Sequence, residues 1–117
     1  MRLVIDLDGT ICEIRKPEES YAGVKPKPGA AEAIRSLRKD GHYVIIHTSR
    51  HMKTCNHNQG LVLAKIGKVT LDWLEKHGVE YDEIIFGKPL GDLYIEDLAL
   101  PFKSWQETVK KVRAMGK

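Results

Sequence analysis

The sequence contains little cysteine and no long hydrophobic run, and each absence excludes a class of protein. Its two cysteines, Cys12 and Cys55, are too few for a disulfide framework and lack the spacing of a metal site, so both are expected to be free thiols. No apolar run approaches the roughly 20 residues that cross a bilayer, so no membrane partner is expected. The first residues also lack the longer apolar stretch of a signal peptide, which favours a cytoplasmic protein.

Repeats, linkers and low-complexity segments are also missing, so no domain boundary is expected. With 117 residues the chain can build one hydrophobic core, and a single domain over residues 1–117 is predicted. An apolar fraction of 42% and a charged fraction of 30% are typical of a folded globular protein. The net charge of +3 is modest and the chain lacks evident aromatic platforms, which argues against a nucleic-acid partner.

Four short apolar segments predict the buried strands of a parallel sheet. They are Arg2–Leu7, Tyr43–His47, Glu83–Phe86 and Asp92–Ile95. Apolar residues at helical spacing predict helices over Pro28–Lys39 and Leu61–His77, and Ser104 is a candidate cap for a last helix that runs to about Met115. Strands that alternate with helices indicate an α/β fold with a doubly wound, Rossmann-like parallel sheet and right-handed crossovers.

Polar side chains follow each predicted strand at the point where it ends. In chain order they are Asp6 and Asp8, Thr48, Lys88, and the pair Glu96 and Asp97. Because the carboxyl ends of parallel strands meet at one edge of a sheet, these side chains are expected to share a crevice. Two carboxylates this close repel, and oxygen ligands indicate Mg²⁺ as the cation between them. Acids and glycine are also common in an ordinary turn after a strand, so Asp6 and Asp8 alone leave that alternative open.

The run Asp6-Leu7-Asp8-Gly9-Thr10, followed by Thr48, Lys88 and the acid pair, resembles the four motifs of the haloacid dehalogenase superfamily of phosphatases. The resemblance extends from Ile5 to about Ala99, and it implies a magnesium-dependent phosphatase core without room for a large cap domain. The segment from Thr48 to Pro89 is also similar to small proteins that are encoded with bacterial capsular-polysaccharide biosynthesis genes.

The resemblance implies a role for each motif residue. Asp6 is expected to be the nucleophile, to form an aspartyl-phosphate and to bind Mg²⁺. Asp8 is expected to act as general acid and base, with its backbone carbonyl as a metal ligand. Thr48 and Lys88 are expected to hold the phosphoryl oxygens, and Asp97 to complete the metal site.

The acid pair departs from the family pattern. The family usually carries two aspartates there, whereas this chain has Glu96 before Asp97. The sequence therefore leaves open which of the two binds the metal directly, although Asp97 is favoured.

Two polar loops, Glu13–Lys27 and Arg50–Gly60, follow strand ends and are expected to contact a sugar or polyol phosphate. Ser49, Arg50 and Lys53 are candidate substrate-binding residues, although solvated positions, or for Arg50 a salt bridge to a loop acid, would explain them as well. The sequence leaves open whether these loops or a neighbouring subunit of a homo-oligomer closes the site. Two other functions also stay open, which are a phosphate-accepting regulatory domain without fast turnover and a nucleic-acid end phosphatase.

Overall fold

A three-stranded parallel sheet forms the centre of the computed structural model, which describes residues 1–115. Its strands are β1 (Arg2–Asp6), β2 (Tyr43–Thr48) and β3 (Glu83–Phe86), and they lie in the order β1-β2-β3. Asp6 pairs with His47 across the first interface, and Thr48 pairs with Phe86 across the second. The carboxyl ends of all three strands therefore lie at one edge of the sheet.

Within residues 1–115, three α-helices connect or follow these strands, as the sequence predicts, and a short 3-10 helix (Tyr21–Gly23) lies in the loop after β1. The α-helices are α1 (Ala30–Lys39), α2 (Gln59–Lys76) and α3 (Trp105–Ala114). The side chain of Ser104 caps α3 by accepting a hydrogen bond of 3.2 Å from the amide of Glu107. The predicted α/β fold with a parallel sheet is thus confirmed. None of the helices within residues 1–115 is both long enough and apolar enough to span a membrane.

The buried face of each helix follows its apolar spacing, with one difference in α2. In α1 the buried residues are Ala30, Ala33, Ile34 and Leu37, which are apolar residues that recur at helical spacing. In α2, however, Leu63 and Leu71 lie on the outer flank, and Leu63 is 51% exposed. Val62 and Thr70 are buried in their place, because the stripe that faces the sheet runs through Val62, Ile66, Thr70, Trp73 and Leu74.

The predicted fourth strand over Asp92–Ile95 is wrong, since no strand forms there in the described residues. The Tyr94 hydroxyl accepts a hydrogen bond from the amide of Gly91 (2.9 Å) and donates one to the carbonyl of Pro89 (2.8 Å). These local bonds fold the segment back on itself, and Ile95 is 90% exposed. Within residues 1–115, β1 pairs with β2 alone and is an edge strand.

Two buried tryptophans hold the loop that follows β1 through hydrogen bonds to its backbone. The indole nitrogen of Trp73 on α2 donates to the carbonyl of Val24 at 2.7 Å. The indole nitrogen of Trp105 on α3 donates to the carbonyl of Thr10 at 2.8 Å. Both rings belong to the main hydrophobic core, together with strand residues such as Ile5 and Ile46. The helices on the sheet thus hold the chain segment that carries the first motif.

Candidate active site at the carboxyl edge of the sheet

A tight turn after β1 presents both aspartates at the edge of the sheet. The carbonyl of Leu7 accepts hydrogen bonds from the amides of Thr10, Ile11 and Cys12, at 2.9–3.3 Å. Gly9 adopts a φ of 89°, and a β-carbon there would lie 3.1 Å from the Ile14 side chain. The positive φ favours glycine at this position, and a β-carbon there would also press on the Ile14 side chain.

Asp6 and Lys88 meet although 82 positions separate them in the sequence. The Lys88 ammonium lies 3.5 Å from Oδ1 of Asp6. The backbone holds the lysine in place, because the amides of Gly87 and Lys88 both donate to the carbonyl of Thr48, at 3.2 and 3.0 Å. The Tyr94 ring lies 4.1 Å from the ammonium and adds a cation–π contact. The structure thus brings together two of the predicted site residues.

Thr48 ends β2 beside them and is almost completely buried. Its Oγ1 accepts a hydrogen bond of 3.1 Å from the amide of Arg50. A hydroxyl that accepts in this way still has its own hydrogen to donate, which suits the predicted contact with a phosphoryl oxygen. Ser49 is half-buried, and its carbonyl accepts a hydrogen bond from the amide of Met52 at 3.1 Å, which begins the next loop as a turn.

The Asp8 carboxylate is held by a buried arginine. Arg50 donates from Nε to Oδ2 of Asp8 at 2.9 Å and from Nη2 to Oδ1 at 2.9 Å, which is the bidentate fork that arginine forms with carboxylates. The Arg50 side chain is 0% exposed and that of Asp8 is 25% exposed. The remaining guanidinium nitrogen, Nη1, donates to Oγ1 of the buried Thr70 at 3.1 Å. Of the alternatives that the sequence left for Arg50, the ion pair is the one that the structure contains.

Cys12 is the third group on Asp8. Its thiol donates to Oδ1 of Asp8 at 3.3 Å and lies 3.5 Å from Nη2 of Arg50. Burial, the nearby charge of Asp8 and the hydrogen bond to it raise the pKa of the Cys12 thiol to about 12, against the opposing effect of Arg50. The thiol is therefore protonated at neutral pH and acts as a hydrogen-bond donor, not as a nucleophile.

His47 lies beside the expected nucleophile, a position that the sequence predictions did not single out. It pairs with Asp6 across the sheet. Burial, followed by the charge of Lys88, lowers the pKa of His47, although Asp6 and Glu96 act in the opposite direction. The signal was available, because His47 immediately precedes Thr48 at the end of a predicted strand.

Within residues 1–115, three predicted site residues form no hydrogen bond or salt bridge with this group, although the charge of Glu96 acts on His47. Lys53 is exposed on the loop after β2, and Glu96 and Asp97 are exposed in the irregular segment that replaces the fourth strand. Substrate binding by Arg50 stays a prediction, and the buried position of its side chain argues against it.

The described residues meet only part of the requirement of a magnesium site. The Asp6 carboxylate is a hard oxygen ligand at the open edge of the sheet. The backbone amides of the turn donate to the carbonyl of Leu7 and not to that of Asp8, so they do not compete with a metal ion for the Asp8 carbonyl. The Asp8 side chain, however, is engaged by Arg50, and Asp97 is exposed in the irregular segment after β3. Within residues 1–115, no three acidic, histidine or cysteine side chains form a group that could hold a metal ion.

The sequence and the fold both have relatives. Residues 3–63 match the family model of the haloacid dehalogenase-like hydrolases. A target protein from Vibrio cholerae, known from a crystal structure, is 30% identical with a TM-score of 0.79, and the match covers 99% of this chain and 98% of that one. A search of curated proteins finds no match.

Two larger proteins share the fold at lower identity. One is the D,D-heptose 1.7-bisphosphate phosphatase from B. bronchiseptica, whose structure is complexed with magnesium and phosphate. It is 22% identical with a TM-score of 0.50, and the match covers 78% of this chain and 51% of that one. The other is a chain of the Pnkp1/Rnl/Hen1 RNA repair complex, at 18% identity and a TM-score of 0.54, with 98% of this chain and 32% of that one covered. The family match and the Vibrio cholerae relative establish that this chain belongs to the haloacid dehalogenase-like hydrolases.

Proposed function

We propose that this protein is a magnesium-dependent phosphomonoester hydrolase that works through an aspartyl-phosphate on Asp6. The observation that carries the proposal is the position of the Lys88 ammonium, 3.5 Å from Oδ1 of Asp6 at the end of β1. A phosphoryl group is anionic and repels a carboxylate nucleophile, so a cation beside the attacking oxygen lowers the cost of their approach. Thr48 and Asp8 supply a hydroxyl donor and a second carboxylate at the same edge.

The first chemical step transfers the phosphoryl group to the protein. An oxygen of the Asp6 carboxylate attacks phosphorus and forms the acyl-phosphate bond while the bond from phosphorus to the leaving oxygen breaks. Asp8, protonated at this stage, gives its proton to the leaving oxygen, and the alcohol departs. Lys88 and the Thr48 hydroxyl hold the phosphoryl oxygens during the transfer.

The second step regenerates Asp6. Asp8, now a carboxylate, takes a proton from a water molecule as that water attacks phosphorus, and the bond between phosphorus and the Asp6 oxygen breaks. Inorganic phosphate leaves, and Asp8 is protonated again for the next cycle. Each atom and proton is accounted for by these two aspartates and one water.

Magnesium is part of the proposal because of the family and the donor chemistry. Asp6, the backbone carbonyl of Asp8 and Asp97 would be its protein ligands, with Glu96 as the alternative to Asp97. When bound, the ion would offset the negative charge of the phosphoryl group. Since no three acidic, histidine or cysteine side chains within residues 1–115 form a group that could hold a metal ion, no step above depends on the ion.

The proposed substrate is a sugar or polyol phosphate. The loop Glu13–Lys27 is closed by antiparallel backbone bonds, from the amide of Glu13 to the carbonyl of Lys25 and from the amide of Lys27 to that of Ile11, each 2.8 Å. Lys27 also pairs with Glu13 at 3.3 Å, whereas Lys53 on the second loop is exposed and available to a ligand. A role in capsular-polysaccharide synthesis is supported only by the resemblance of the segment from Thr48 to Pro89.

The test is steady release of phosphate from p-nitrophenyl phosphate and from a panel of sugar and polyol phosphates, with Mg²⁺ present. Wild-type protein should turn over many times, and the isosteric Asp6→Asn variant should not. Asp72→Asn is the matched control, because Asp72 is a carboxylate on the surface of α2 that pairs with Lys68. A single phosphorylation without turnover would instead favour the phosphate-accepting regulatory domain.

A further inference from the structure

The guanidinium of Arg50 is fixed from several directions. Besides the fork to Asp8, its Nη1 bonds Thr70 and its Nη2 lies 3.5 Å from the Cys12 sulfur. The Tyr21 ring lies 4.2 Å from its central carbon, so a cation–π contact covers one face. A buried arginine is rare unless it is paired, and this one is paired with Asp8. It would have to break these contacts to touch a leaving group, so its position fits a role that acts through Asp8.

The two oxygens of Asp8 are not equivalent in this arrangement. Oδ1 accepts from Nε and Nη2 of Arg50, at 3.2 and 2.9 Å, and from the Cys12 thiol at 3.3 Å. Oδ2 accepts only the hydrogen bond of 2.9 Å from Nε of Arg50 among the described donors. Because a carboxylate oxygen has about two lone-pair sites, Oδ1 is fully engaged while Oδ2 can take one more partner.

We propose that Arg50 is the positioning residue of the acid/base Asp8, and this inference rests on the proposed phosphatase function. The hydrogen bonds from the guanidinium and from the Cys12 thiol hold Oδ1 in place and fix the plane of the carboxylate. Oδ2 is then the atom that gives a proton to the leaving oxygen in the first step and takes one from water in the second. A misplaced acid/base group reduces the rate of the chemical step without changing how the ground-state substrate binds.

The backbone and the side chain of Arg50 serve different partners, which makes the proposal testable. Its amide orients the Thr48 hydroxyl, and its guanidinium orients Asp8. A side-chain substitution keeps the amide, so the contact with Thr48 can be retained while the hold on Asp8 is lost. The effect of Arg50→Met on catalysis therefore reports on the guanidinium.

The experiment compares Arg50→Met with wild type on p-nitrophenyl phosphate and on the best alkyl phosphate of the sugar and polyol panel. An alkoxide leaving group must be protonated as it departs, whereas nitrophenolate leaves with little need of a proton. The variant should therefore lose about tenfold to a hundredfold in kcat on the alkyl phosphate and much less on the aryl one. KM should not change. In the double variant Asp8→Asn with Arg50→Met, kcat on the alkyl phosphate should be no lower than in Asp8→Asn alone, because both changes remove the same proton transfer by Asp8.

Two further variants keep the test decisive even if Arg50→Met folds poorly. Thr70→Val removes the hydroxyl that braces the guanidinium and leaves Arg50 and Asp8 intact. Its kcat should again fall more on the alkyl phosphate than on the aryl one, but by a smaller factor than in Arg50→Met. Arg38→Met is the matched control. Arg38 forks onto Asp82 with bonds of 3.2 and 2.7 Å at the other end of β2, and its loss should leave both rates unchanged.

The results that would overturn the proposal are distinct from those that would overturn the phosphatase function. A raised KM with unchanged kcat would make Arg50 a substrate-binding residue. Equal losses on both substrates in Arg50→Met and Thr70→Val would make the contacts merely structural, as would losses that multiply in the double variant. The phosphatase function itself fails if wild type does not turn over, and the role of Asp6 as nucleophile fails if Asp6→Asn stays active. Neither result depends on Arg50.

Discussion

Arg50 and Asp8, which lie 42 positions apart in the sequence, form an ion pair in which only the aspartate is accessible to solvent. The arginine side chain is fully buried, whereas the aspartate reaches the open edge of the sheet. The consequences of breaking the pair are therefore unequal. A buried guanidinium without its partner stays in a low-dielectric environment, but a carboxylate at the edge can be solvated.

We predict that Asp8→Ala lowers the free energy of unfolding by about 3 kcal/mol, the lower end of the range for an uncompensated buried charge. Arg50→Met should cost less, because the Asp8 carboxylate then turns to water and the buried Thr70 hydroxyl can bond the carbonyl one turn earlier in α2. Urea unfolding of both single variants and of the double variant measures the difference. If Arg50→Met is the more damaging single change, the burial of the arginine does not control the energetics of the pair.

Cys12 and Cys55 should differ in reactivity. Because burial and Asp8 raise the pKa of Cys12 to about 12, its reactive thiolate is scarce at pH 8, and the side chain is also inaccessible. A thiol reagent such as Ellman's should modify one thiol quickly in the folded protein and two after denaturation. The Cys55→Ser variant should show no fast reaction. A fast reaction in that variant would contradict the role of Cys12 as a protonated donor to Asp8.

The sequence predicted the parts of this fold that depend on local patterns. Three continuous apolar strands and the four-residue apolar face of α1 can be read from spacing alone, and the contact between Asp6 and Lys88 follows because parallel strands end at one edge. The fourth strand failed because Tyr94 makes local bonds to Pro89 and Gly91, which compete with sheet pairing and leave no trace in an apolar pattern.

The placement of Arg50 could not be read from the sequence in the same way. Its neighbours in the loop after β2 are polar, which is typical of an exposed position, and its partners Asp8 and Thr70 are distant in sequence. Only the packed structure shows that the side chain turns inward. The Thr-Ser-Arg run directly after a buried strand was the available hint, since a charge there needs a nearby partner.

Magnesium dependence is the next prediction. A chelator should abolish the release of phosphate, and Mg²⁺ should restore it whereas Zn²⁺ should not, because the donor set is made of oxygens without thiolate or paired imidazole ligands. Calorimetric titration of wild type and Asp6→Asn with Mg²⁺ gives a readout apart from turnover, and the variant should bind more weakly. Full activity after exhaustive removal of metal would refute the prediction.

The exposed Lys53 should affect substrate selectivity. Lys53→Ala should raise KM severalfold for a sugar or polyol phosphate and leave p-nitrophenyl phosphate nearly unchanged, because Lys88 and Thr48 hold the phosphoryl group of the small substrate. Lys110→Ala, an exposed lysine on α3, is the matched control. If KM is unaffected for every substrate, the loop after β2 does not bind the leaving group.

The central claim is that Asp6 carries the phosphoryl group, and reductive trapping tests it most directly. Borohydride reduces an aspartyl-phosphate to homoserine, so protein quenched during turnover of an aryl phosphate should yield an N-terminal peptide with homoserine at position 6. Protein without substrate, and the Asp6→Asn variant with it, should yield none. Homoserine at position 8, or unmodified Asp6 in protein that is turning over rapidly, would contradict the account.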